Sequence, residues 1–469
     1  MTENFSYDVV VIGAGPVGEN VADRTLAAGL STAVVESELV GGECSYWACM
    51  PSKALLRPVI AHADARRTPG LRAAARGPLD VAEVLAHRDE YAAHWKDDGQ
   101  VEWLEGVGAR LHRGHGRLAG PRTVTVTTPD GRTETLTARH AVAVCTGSAA
   151  ALPGLPGLRD GAVAPWTSRE ATSAREAPGR LLVVGGGVVA TEMATAWQAL
   201  GSKVTVLVRG GGLLERMEPF AGELVAETLR EAGAEVRTGV SVTEVTREDG
   251  TVVATTDAGD RLEADEILFA TGRRPRTDDL GLETVGIDPG SWLRVDDTLR
   301  VVGSDWLYAA GDANHRALLT HQGKYQARIA GDAIAARSRG EAPPTAATAD
   351  DGAVPQVVFT DPEVASVGLT LAEAERAGHR VRAVDVDLAT VAGAGLYVDG
   401  YRGRARMVVD LDKETLRGVT FVGPGVAELL HSATVAVVGQ VPVPRLWHAV
   451  PAYPTISEVW LRLLEAYRG

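Results

Sequence analysis

The stretch YDVVVIGAGPVG occupies residues 7–18. Its first half is a β-branched apolar run that ends at Ile12 and is typical of a buried strand. Its glycines follow the Gly-x-Gly-x-x-Gly pattern at Gly13, Gly15 and Gly18. A helical pattern follows over residues 19–28, and a second strand pattern over residues 31–35 ends at Glu36. The order of strand, glycine turn, helix, strand and acid predicts a Rossmann-like dinucleotide-binding domain.

Each part of this motif has a defined role in binding a dinucleotide. Glycines allow a tight turn and a close approach of the backbone to a pyrophosphate, whose charge faces the N-terminus of the helix. Glu36 lies about 20 residues beyond the glycines, where an acid accepts hydrogen bonds from ribose hydroxyls. The sequence therefore predicts a bound dinucleotide at this turn.

The same pattern occurs a second time. The stretch LLVVGGGVVA occupies residues 181–190 and leads into a helix through Leu200 and a strand from Lys203 to Val208. Two fingerprints predict two dinucleotide sites. An enzyme with two such sites usually passes electrons between two cofactors, one held tightly and one that exchanges.

The second site differs at the end of its second strand. In the first fingerprint, the second strand ends at Glu36. In the second fingerprint, the corresponding strand ends at Val208, and Arg209 follows it. An arginine at this point accommodates a 2′-phosphate, so the predicted nucleotide is NADPH rather than NADH. Arg216 is a second candidate cation, although Glu215 beside it weakens that case. The alternative is that Arg209 is a solvated surface charge.

Two of the three cysteines, Cys44 and Cys49, stand close together just beyond the first fingerprint. An uninterrupted helix holds residues five apart at roughly 8 to 9 Å between Cα atoms, whereas a disulfide needs less than about 7 Å. If they bond, either the segment is distorted or Cys44 lies just before the helix that contains Cys49. A cysteine at a helix N-terminus favours the thiolate, and Lys53 supplies a cation on the same helical face. The pattern predicts a redox pair; the alternative is two inert buried thiols. Cys145, on an apolar strand, is predicted to be a packed core thiol.

Bulk properties exclude several classes of protein. The 469 residues suffice for about three domains. A formal net charge of −14 argues against nucleic acid binding. No apolar stretch is long enough to span a bilayer, and the N-terminus lacks the basic region of a signal peptide. So few cysteines do not make a secreted disulfide framework, which favours the reducing cytoplasm. We expect no membrane partner and no metal site.

Further patterns organise the rest of the chain. Apolar strands end in Thr146-Gly147 and Thr271-Gly272, where the chain crosses between domains, and another ends in Gly311-Asp312, where a carboxylate can bind sugar hydroxyls. Residues 342–351 have the composition of a linker. Strand-like residues 404–411 and an amphipathic pattern over 427–438 then suggest a smaller α+β domain. The predicted fold class is α/β, with two Rossmann-like dinucleotide-binding domains and a C-terminal α+β domain.

Together these motifs resemble the class I flavoprotein disulfide reductases, the family of dihydrolipoamide dehydrogenase, glutathione reductase, mycothione reductase and mercuric reductase. The resemblance runs from Tyr7 to about Glu458. It implies an FAD-binding domain over residues 1–150 and 275–345 and an NAD(P)H-binding domain over residues 151–274. It also implies an interface domain over residues 350–469 that forms a homodimer with active sites shared between subunits.

The resemblance also assigns site residues. The expected FAD site comprises Gly13, Gly15, Pro16, Gly18, Glu36, Gly42, Glu43, Cys44, Lys53, Gly116, Thr146, Gly147, Ser148, Asp312, Leu319, Thr320 and His321. The expected NAD(P)H site comprises Gly185, Gly187, Val188, Ala190, Arg209, Gly272 and Arg273. Glu192 matches the family glutamate that pairs with the lysine near the isoalloxazine, here Lys53.

Catalytic roles follow from the same resemblance. Cys49 is expected to lie against the flavin and form a thiolate–flavin charge-transfer species, and Cys44 to be the interchange thiol that attacks a substrate disulfide. Hydride would pass from NADPH to FAD and then to the Cys44–Cys49 redox disulfide. Attack on a disulfide sulfur depends on the amount of thiolate and on the leaving group.

The chain departs from the family at its C-terminus. The family sequence His-Pro-Thr-x-Ser-Glu supplies an acid/base histidine, but here Tyr453 takes the place of the histidine while Glu458 remains. A phenol with an ordinary pKa near 10 is a poor base at neutral pH. His448 is a candidate substitute, although a structural role at the dimer interface is the simpler interpretation. Tyr46 and Trp47 between the cysteines are also unusual; they either pack against a neighbouring domain or line a pocket for a planar acceptor.

Three classes of function therefore remain open. The first is an NADPH-dependent reductase of a small-molecule or protein disulfide. The second is an NAD(P)H:quinone, or diaphorase-type, reductase in which reduced FAD passes electrons directly to the acceptor because Tyr453 replaces the histidine. The third is a flavin-binding module without turnover. A dithiol oxidase or metal-ion reductase is a further option, but the chain has no additional C-terminal cysteine pair to capture mercury.

Overall fold

A computed structural model of the chain describes residues 3–158 and 161–469. The described α-helices are α1 (Pro16–Ala27), α2 (Gly42–Tyr46), α3 (Cys49–Arg67), α4 (Val81–Tyr91), α5 (Asp98–Gly106), α6 (Ser168–Ser173), α7 (Val188–Ala199), α8 (Pro219–Glu231), α9 (Thr320–Ser338), α10 (Leu371–Arg376), α11 (Ala392–Tyr397), α12 (Leu430–Val438), α13 (Val443–Leu446) and α14 (Val459–Arg468).

The described strands are β1 (Glu3–Ile12), β2 (Thr32–Glu36), β3 (Arg110–Arg113), β4 (His115–Leu118), β5 (Thr123–Thr127), β6 (Thr133–Val144), β7 (Ser148–Ala150), β8 (Arg180–Val184), β9 (Lys203–Val208), β10 (Glu235–Thr238), β11 (Val242–Glu248), β12 (Thr251–Thr256), β13 (Arg261–Ala264), β14 (Glu266–Phe269), β15 (Arg273–Pro275), β16 (Leu307–Ala309), β17 (Pro355–Val358), β18 (Glu363–Gly368), β19 (Val381–Asp387), β20 (Arg404–Asp410) and β21 (Thr415–Gly423). Both fingerprints thus have the predicted order of strand, turn, helix and strand.

The described residues form two compact units. The first takes its residues from 1–50, 89–151 and 272–350, and the second from 51–88, 152–271 and 351–469. The predicted breaks near residues 150 and 275 lie close to the limits of the first unit. Residues 51–88, which the resemblance places in the FAD-binding domain, pack with the second unit. The reason is packing, since apolar side chains of α3 and α4 share a core with those of β8 and α7.

The first unit contains a sheet of order β3-β2-β1-β6-β5-β4, with β16 also paired to β6. Its pairs β3–β2, β2–β1, β1–β6 and β6–β16 are parallel. Val9, Val10 and Val11 are fully buried, as expected for a strand covered on both faces. Because carboxyl ends of parallel strands share one edge, the residues that follow β1, β2, β6 and β16 gather there.

The turn after β1 can be made only by glycine. Gly13 has a φ of +102°, and a Cβ on it would lie 2.5 Å from the carbonyl oxygen of Cys145. A Cβ on Gly18 would lie 1.8 Å from the carbonyl oxygen of Gly13. These separations are impossible for a side chain, so the glycine pattern reflects close packing of α1 on the sheet.

The second unit contains a parallel sheet, β10-β9-β8-β14, that includes the second fingerprint, and an antiparallel meander, β11-β12-β13. Its C-terminal part is an antiparallel sheet of order β17-β18-β21-β20-β19. The strand predicted over 404–411 is β20. The helix predicted over 427–438 begins as a 3-10 turn, Ala427–Leu429, before α12.

Within residues 3–158 and 161–469, no helix is both long and apolar enough to cross a membrane.

Candidate active site

The acid at the end of β2 is held against the first glycine turn. Glu36 accepts a hydrogen bond at Oε2 from the N–H of Ala14, at 2.7 Å, and one at Oε1 from the N–H of Glu38, at 2.8 Å. Burial raises the pKa of Glu36. A Cβ on Gly42 would lie 2.8 Å from the Cα of Gly15, so the loop before the cysteines touches the glycine turn. The predicted residues Glu36, Gly15 and Gly42 therefore converge.

Other predicted FAD residues lie at the same edge of this sheet. The hydroxyl of Thr146, just after β6, is buried and has no hydrogen-bond partner among the described residues. Gly147 has a φ of +71°. Asp312, just after β16, accepts a hydrogen bond from the hydroxyl of Ser148, and burial raises the pKa of Asp312. A glycine turn, a fixed carboxylate and an orphaned buried hydroxyl fit a dinucleotide such as FAD.

The remaining residues of this set belong to β4 and α9. A Cβ on Gly116 would lie 2.9 Å from the Val35 side chain, so glycine is required where β4 passes β2. Leu319 precedes the first turn of α9, and Thr320 and His321 form its start. The structure thus also places these residues in the first unit.

Arg273 contacts several residues of the first unit. It was assigned with Gly272 to NAD(P)H, but both lie in the first unit. Arg273 donates hydrogen bonds to the backbone oxygen of Ser148, at 2.7 Å, and to the Glu43 carboxylate, at 2.9 Å. Burial acts to raise the pKa of Glu43, but the charges of Arg273 and Arg276 outweigh it and hold the pKa below its usual value. Arg273 is therefore joined to residues of the expected FAD site.

The predicted redox pair, Cys44 and Cys49, lies at a break between two helices. Cys44 is inside α2, the chain leaves helical geometry at Trp47, and α3 begins at Cys49. A break at Trp47 therefore separates Cys44 from the helix that begins at Cys49. The cysteines are in the dithiol form and are hydrogen-bonded to each other. The Oγ1 of Thr320, at the start of α9, lies 3.2 Å from the Sγ of Cys49.

Their surroundings oppose ionisation of Cys44. The hydrogen bond from Cys49 and burial both raise the pKa of Cys44. The hydrogen bond to Thr320 and the charge of Lys324 act in the opposite direction but are outweighed. The third thiol behaves as predicted, because Cys145 is buried and its burial raises its pKa to about 12.

Tyr46, between the cysteines, is a structural residue. It is 1% exposed, and its hydroxyl donates a hydrogen bond to the backbone oxygen of Val40 at 2.9 Å. The indole N–H of Trp95 donates to the backbone oxygen of Tyr46 at 3.1 Å. The ring of Trp47 meets that of Tyr46 edge-on, with centroids 5.7 Å apart. Tyr46 therefore packs inside the first unit, and neither of the two interpretations made from the sequence fits it.

The lysine–glutamate pair implied by the resemblance is present in the second unit. The Nζ of Lys53 donates to both carboxylate oxygens of Glu192, at 2.9 and 3.1 Å. Glu192 is only 3% exposed and also accepts from the N–H of Phe359 at 3.0 Å. The Nζ lies 5.0 Å from the centre of the Phe359 ring. The buried carboxylate is thus fully compensated.

The second fingerprint repeats the geometry of the first. Gly185 has a φ of +132°, and a Cβ on it would lie 2.4 Å from the carbonyl oxygen of Ala270. Gly187 precedes α7, which begins at Val188, and Ala190 in its first turn is fully buried. The N-terminus of α7 therefore presents backbone N–H groups suited to a pyrophosphate.

The loop after β9 contains charges of both signs. Arg209 is exposed and makes no ion pair in the described part of the chain. The Oε1 of Glu215 accepts hydrogen bonds from the N–H groups of Gly211, at 2.6 Å, and Gly212, at 3.3 Å. Glu215 therefore binds the backbone of its own loop and does not pair with the guanidinium of Arg209.

The C-terminal segment has an incomplete hydrogen-bond network. Tyr453 is 76% exposed, and His448 is exposed as well. Glu458 is buried; its Oε1 accepts a hydrogen bond from Arg462 at 2.7 Å. Its Oε2 is buried and has no partner within the described ranges. The glutamate that orients the family histidine therefore has one unused acceptor.

Three residues of these clusters were not predicted: Arg276, Lys324 and Phe359. Arg276 is the second cation that lowers the pKa of Glu43. Lys324, in the second turn of α9, acts to lower the pKa of Cys44. The only signal in the sequence was position, since Lys324 lies one helical turn after Thr320. Phe359 acts through its backbone N–H and through its ring, and it lies far from Lys53 and Glu192 in the sequence.

Comparisons with known proteins agree with this geometry. The family described as pyridine nucleotide-disulphide oxidoreductase matches residues 7–334, and its dimerisation domain matches residues 354–463. Dihydrolipoyl dehydrogenase from Thermus scotoductus is 32% identical, with 98% of this chain and 97% of the relative covered. Mercuric reductase from Acidithiobacillus ferrooxidans is 34% identical, with 96% of this chain and 80% of the relative covered.

Solved structures show the same fold. LpdA from Mycobacterium tuberculosis superposes with a TM-score of 0.84 at 26% identity, covering 98% of this chain and 99% of that one. The flavoprotein disulfide reductase RclA from Escherichia coli superposes with a TM-score of 0.85 at 22% identity, with the same coverage, 98% and 99%. The chain therefore belongs to the pyridine nucleotide-disulphide oxidoreductases, the class I flavoprotein disulfide reductases, and is an FAD- and pyridine nucleotide-dependent oxidoreductase.

Proposed function

We propose that the protein uses NADPH to reduce a disulfide substrate through Cys44 and Cys49. The observation that supports this most directly is the hydrogen-bonded pair of sulfurs at the break between α2 and α3, next to the hydroxyl of Thr320. The pair lies in the same unit as the first glycine turn. FAD bound at that turn supplies the two-electron carrier between the nucleotide and the cysteines.

The cysteines then act in sequence. Two electrons convert the Cys44–Cys49 disulfide to the dithiol. The thiolate of Cys44 attacks one sulfur of the substrate disulfide, forms a mixed disulfide and releases the first thiolate, which takes a proton. The thiolate of Cys49 attacks Cys44, which restores the internal disulfide and releases the second product thiol. We further propose a homodimer, in which Tyr453 and Glu458 of each subunit face the redox pair of the other; the dimerisation domain supports this.

A quinone reductase is the second candidate. Two observations favour it: the raised pKa of Cys44, which keeps the thiolate scarce, and an exposed phenol where the family has its base. Quinone reduction needs neither the thiolate nor the histidine. The two candidates differ in whether electrons leave through Cys44.

Anaerobic titration of the holoenzyme with NADPH tests the proposal. We expect the flavin absorbance to fall and a long-wavelength band from the flavin beside a thiolate to appear, because Cys49 is the sulfur expected at the flavin. The Cys49→Ser variant, with FAD still bound, should bleach without that band. Bleaching of the wild type without the band would contradict the proposal and favour the quinone reductase. A flavin that NADPH does not bleach would favour a binding module.

The nucleotide preference gives a separate prediction. We expect Arg209→Gln to raise the KM for NADPH by about tenfold or more and to leave the KM for NADH unchanged, because only NADPH has the phosphate that an unneutralised guanidinium binds. Arg216→Gln is the matched control in the same loop, where Glu215 lies beside the cation. Equal losses with both nucleotides in Arg209→Gln, or a wild type that prefers NADH, would contradict NADPH as the physiological donor.

A further inference from the structure

The connection between α4 and α5 contains a strained turn that belongs to the first unit. Ala93, His94 and Trp95 have positive φ values of 48°, 51° and 55°. Left-handed geometry is unfavourable for residues with a Cβ and rarely extends over three in succession. The turn is closed by hydrogen bonds from the N–H of Trp95 to the carbonyl oxygen of Ala92, at 2.8 Å, and from the N–H of Lys96 to that of Ala93, at 3.0 Å. Strain of this kind persists only where other contacts maintain it, and it is frequent at functional sites.

The indole of Trp95 reaches from this turn to the last residue of α2. Its N–H donates a hydrogen bond to the carbonyl oxygen of Tyr46 at 3.1 Å. In an uninterrupted helix, that oxygen would accept from the N–H of Met50, four residues further on. Because α2 ends at Tyr46 and the chain leaves helical geometry at Trp47, the oxygen needs another donor. Trp95 supplies that donor and so stabilises the break between the two cysteines.

The residues after the turn hold the rest of the same segment. The hydroxyl of Tyr46 lies 2.9 Å from the carbonyl oxygen of Val40 and 3.4 Å from that of Lys96. The carboxylate of Asp97 accepts hydrogen bonds from the N–H of Val40, at 2.8 Å, and from Arg113, at 2.6 Å. Asp97 directly precedes α5, but within the described ranges its side chain makes no capping hydrogen bond to that helix. A residue type well suited to capping therefore binds the segment before the cysteines instead.

We propose that residues 92–97 form a strap that favours the Cys44–Cys49 disulfide over the dithiol, with Trp95 as its positioning residue. The proposal rests on the proposed function, in which this pair accepts the electrons. A disulfide needs Cα atoms within about 7 Å, whereas an uninterrupted helix would hold them roughly 8 to 9 Å apart. The dithiol has no such requirement and can recover the helical hydrogen bond at Tyr46. By stabilising the break, the strap therefore stabilises the disulfide and lowers the reduction potential of the pair.

The strap also affects the last step of turnover. Once Cys44 has formed a mixed disulfide with the substrate, the thiolate of Cys49 attacks Cys44 and releases the second product thiol. This attack requires the same close approach as the internal disulfide. We therefore expect loss of the indole N–H to slow disulfide turnover and to leave quinone turnover unchanged.

Anaerobic equilibration of the holoenzyme with reduced and oxidised dithiothreitol measures the balance. Reduced dithiothreitol gives two electrons and two protons to the Cys44–Cys49 disulfide and becomes its own cyclic disulfide. Alkylation and peptide mass spectrometry then give the ratio of disulfide to dithiol. We expect Trp95→Phe, which keeps a ring but removes the N–H, to lower this ratio by about tenfold, the effect of leaving one acceptor without its donor. Trp103→Phe replaces an exposed tryptophan of α5 and is the matched control, which should keep the wild-type ratio.

Two substitutions of His94 test the left-handed turn itself. His94 is exposed, so the variants differ chiefly in their backbone preference. His94→Gly should keep the wild-type ratio, since glycine adopts a positive φ readily, whereas His94→Val should lower it, since a β-branched residue resists that geometry. Tyr46→Phe, which removes the hydroxyl that binds Val40, should lower the ratio by about threefold. FAD content confirms that each variant is folded.

The outcomes separate the strap from a general structural role. An unchanged ratio in Trp95→Phe, an equal loss in Trp103→Phe, or equal ratios in His94→Gly and His94→Val would overturn the inference. If Trp95→Phe does not retain FAD, the two His94 variants decide. If the ratios change as expected but Cys44→Ser leaves disulfide turnover intact, the proposed function fails and the effect of the strap on the pair stands.

Discussion

Replacing Cys44 with serine is expected to lower the turnover of disulfide substrates by at least about 10³-fold and to leave quinone turnover within about threefold of the wild type. A serine hydroxyl does not attack a disulfide at neutral pH, and Cys49 alone has no partner with which to re-form the internal disulfide. A quinone, in contrast, takes electrons without a covalent step. The measurement is steady-state turnover of the holoenzyme with a panel of small disulfides and quinones.

A matched control separates this chemistry from loss of structure. Cys145→Ala removes a thiol from the same unit, but one that is buried in the core and has a pKa of about 12. It should leave the ratio of disulfide to quinone turnover unchanged. If Cys44→Ser lowers the turnover of disulfides and of quinones equally while FAD remains bound, both kinds of acceptor receive their electrons by one route. If disulfide turnover survives in Cys44→Ser, the assignment of the interchange thiol is wrong.

The parts of the fold that could be predicted are those determined by local sequence. The strand before Gly13 and the helix after it follow from side chains that are adjacent in the chain, and a Cβ at that glycine would overlap the backbone. The same holds for β9, whose bounds, Lys203–Val208, are the predicted ones. The grouping of residues 51–88 with the second unit could not be predicted, because the partners of their apolar side chains are distant in sequence. No local pattern encodes that choice.

The residues of the candidate site divide in the same way, into those that belong to local motifs and those whose partners are distant in sequence. Glu36 was found because it belongs to a motif with fixed spacing, and the Lys53–Glu192 pair was implied by the resemblance to the family. The contacts of Arg273 were not, since its partners Glu43 and Ser148 come from separate segments. Tyr46 was misjudged because an aromatic residue between two cysteines has the same sequence pattern whether it is buried or exposed. Its 1% exposure and its hydrogen bond to Val40, which the structure provides, distinguish the two.

Replacing Tyr453 with histidine is expected to raise disulfide turnover by about 10²-fold, the lower end of what a positioned acid/base contributes. The chain retains the group that would orient the new imidazole, because Glu458 is held by Arg462 and keeps one buried oxygen without a partner. The imidazole would take the proton from Cys44 and return one to the departing thiolate. Turnover should also become dependent on a group with a pKa near 6.5, falling as the pH drops below that value and the base is protonated.

Two further variants show whether the gain comes from acid/base chemistry. Tyr453→Phe should leave disulfide turnover unchanged, since the exposed phenol is not expected to transfer protons. Adding Glu458→Gln to Tyr453→His should remove most of the gain, because an amide does not stabilise the imidazolium as a carboxylate does. If Tyr453→His changes neither turnover nor its pH dependence, the segment that contains Tyr453 does not serve proton transfer at Cys44.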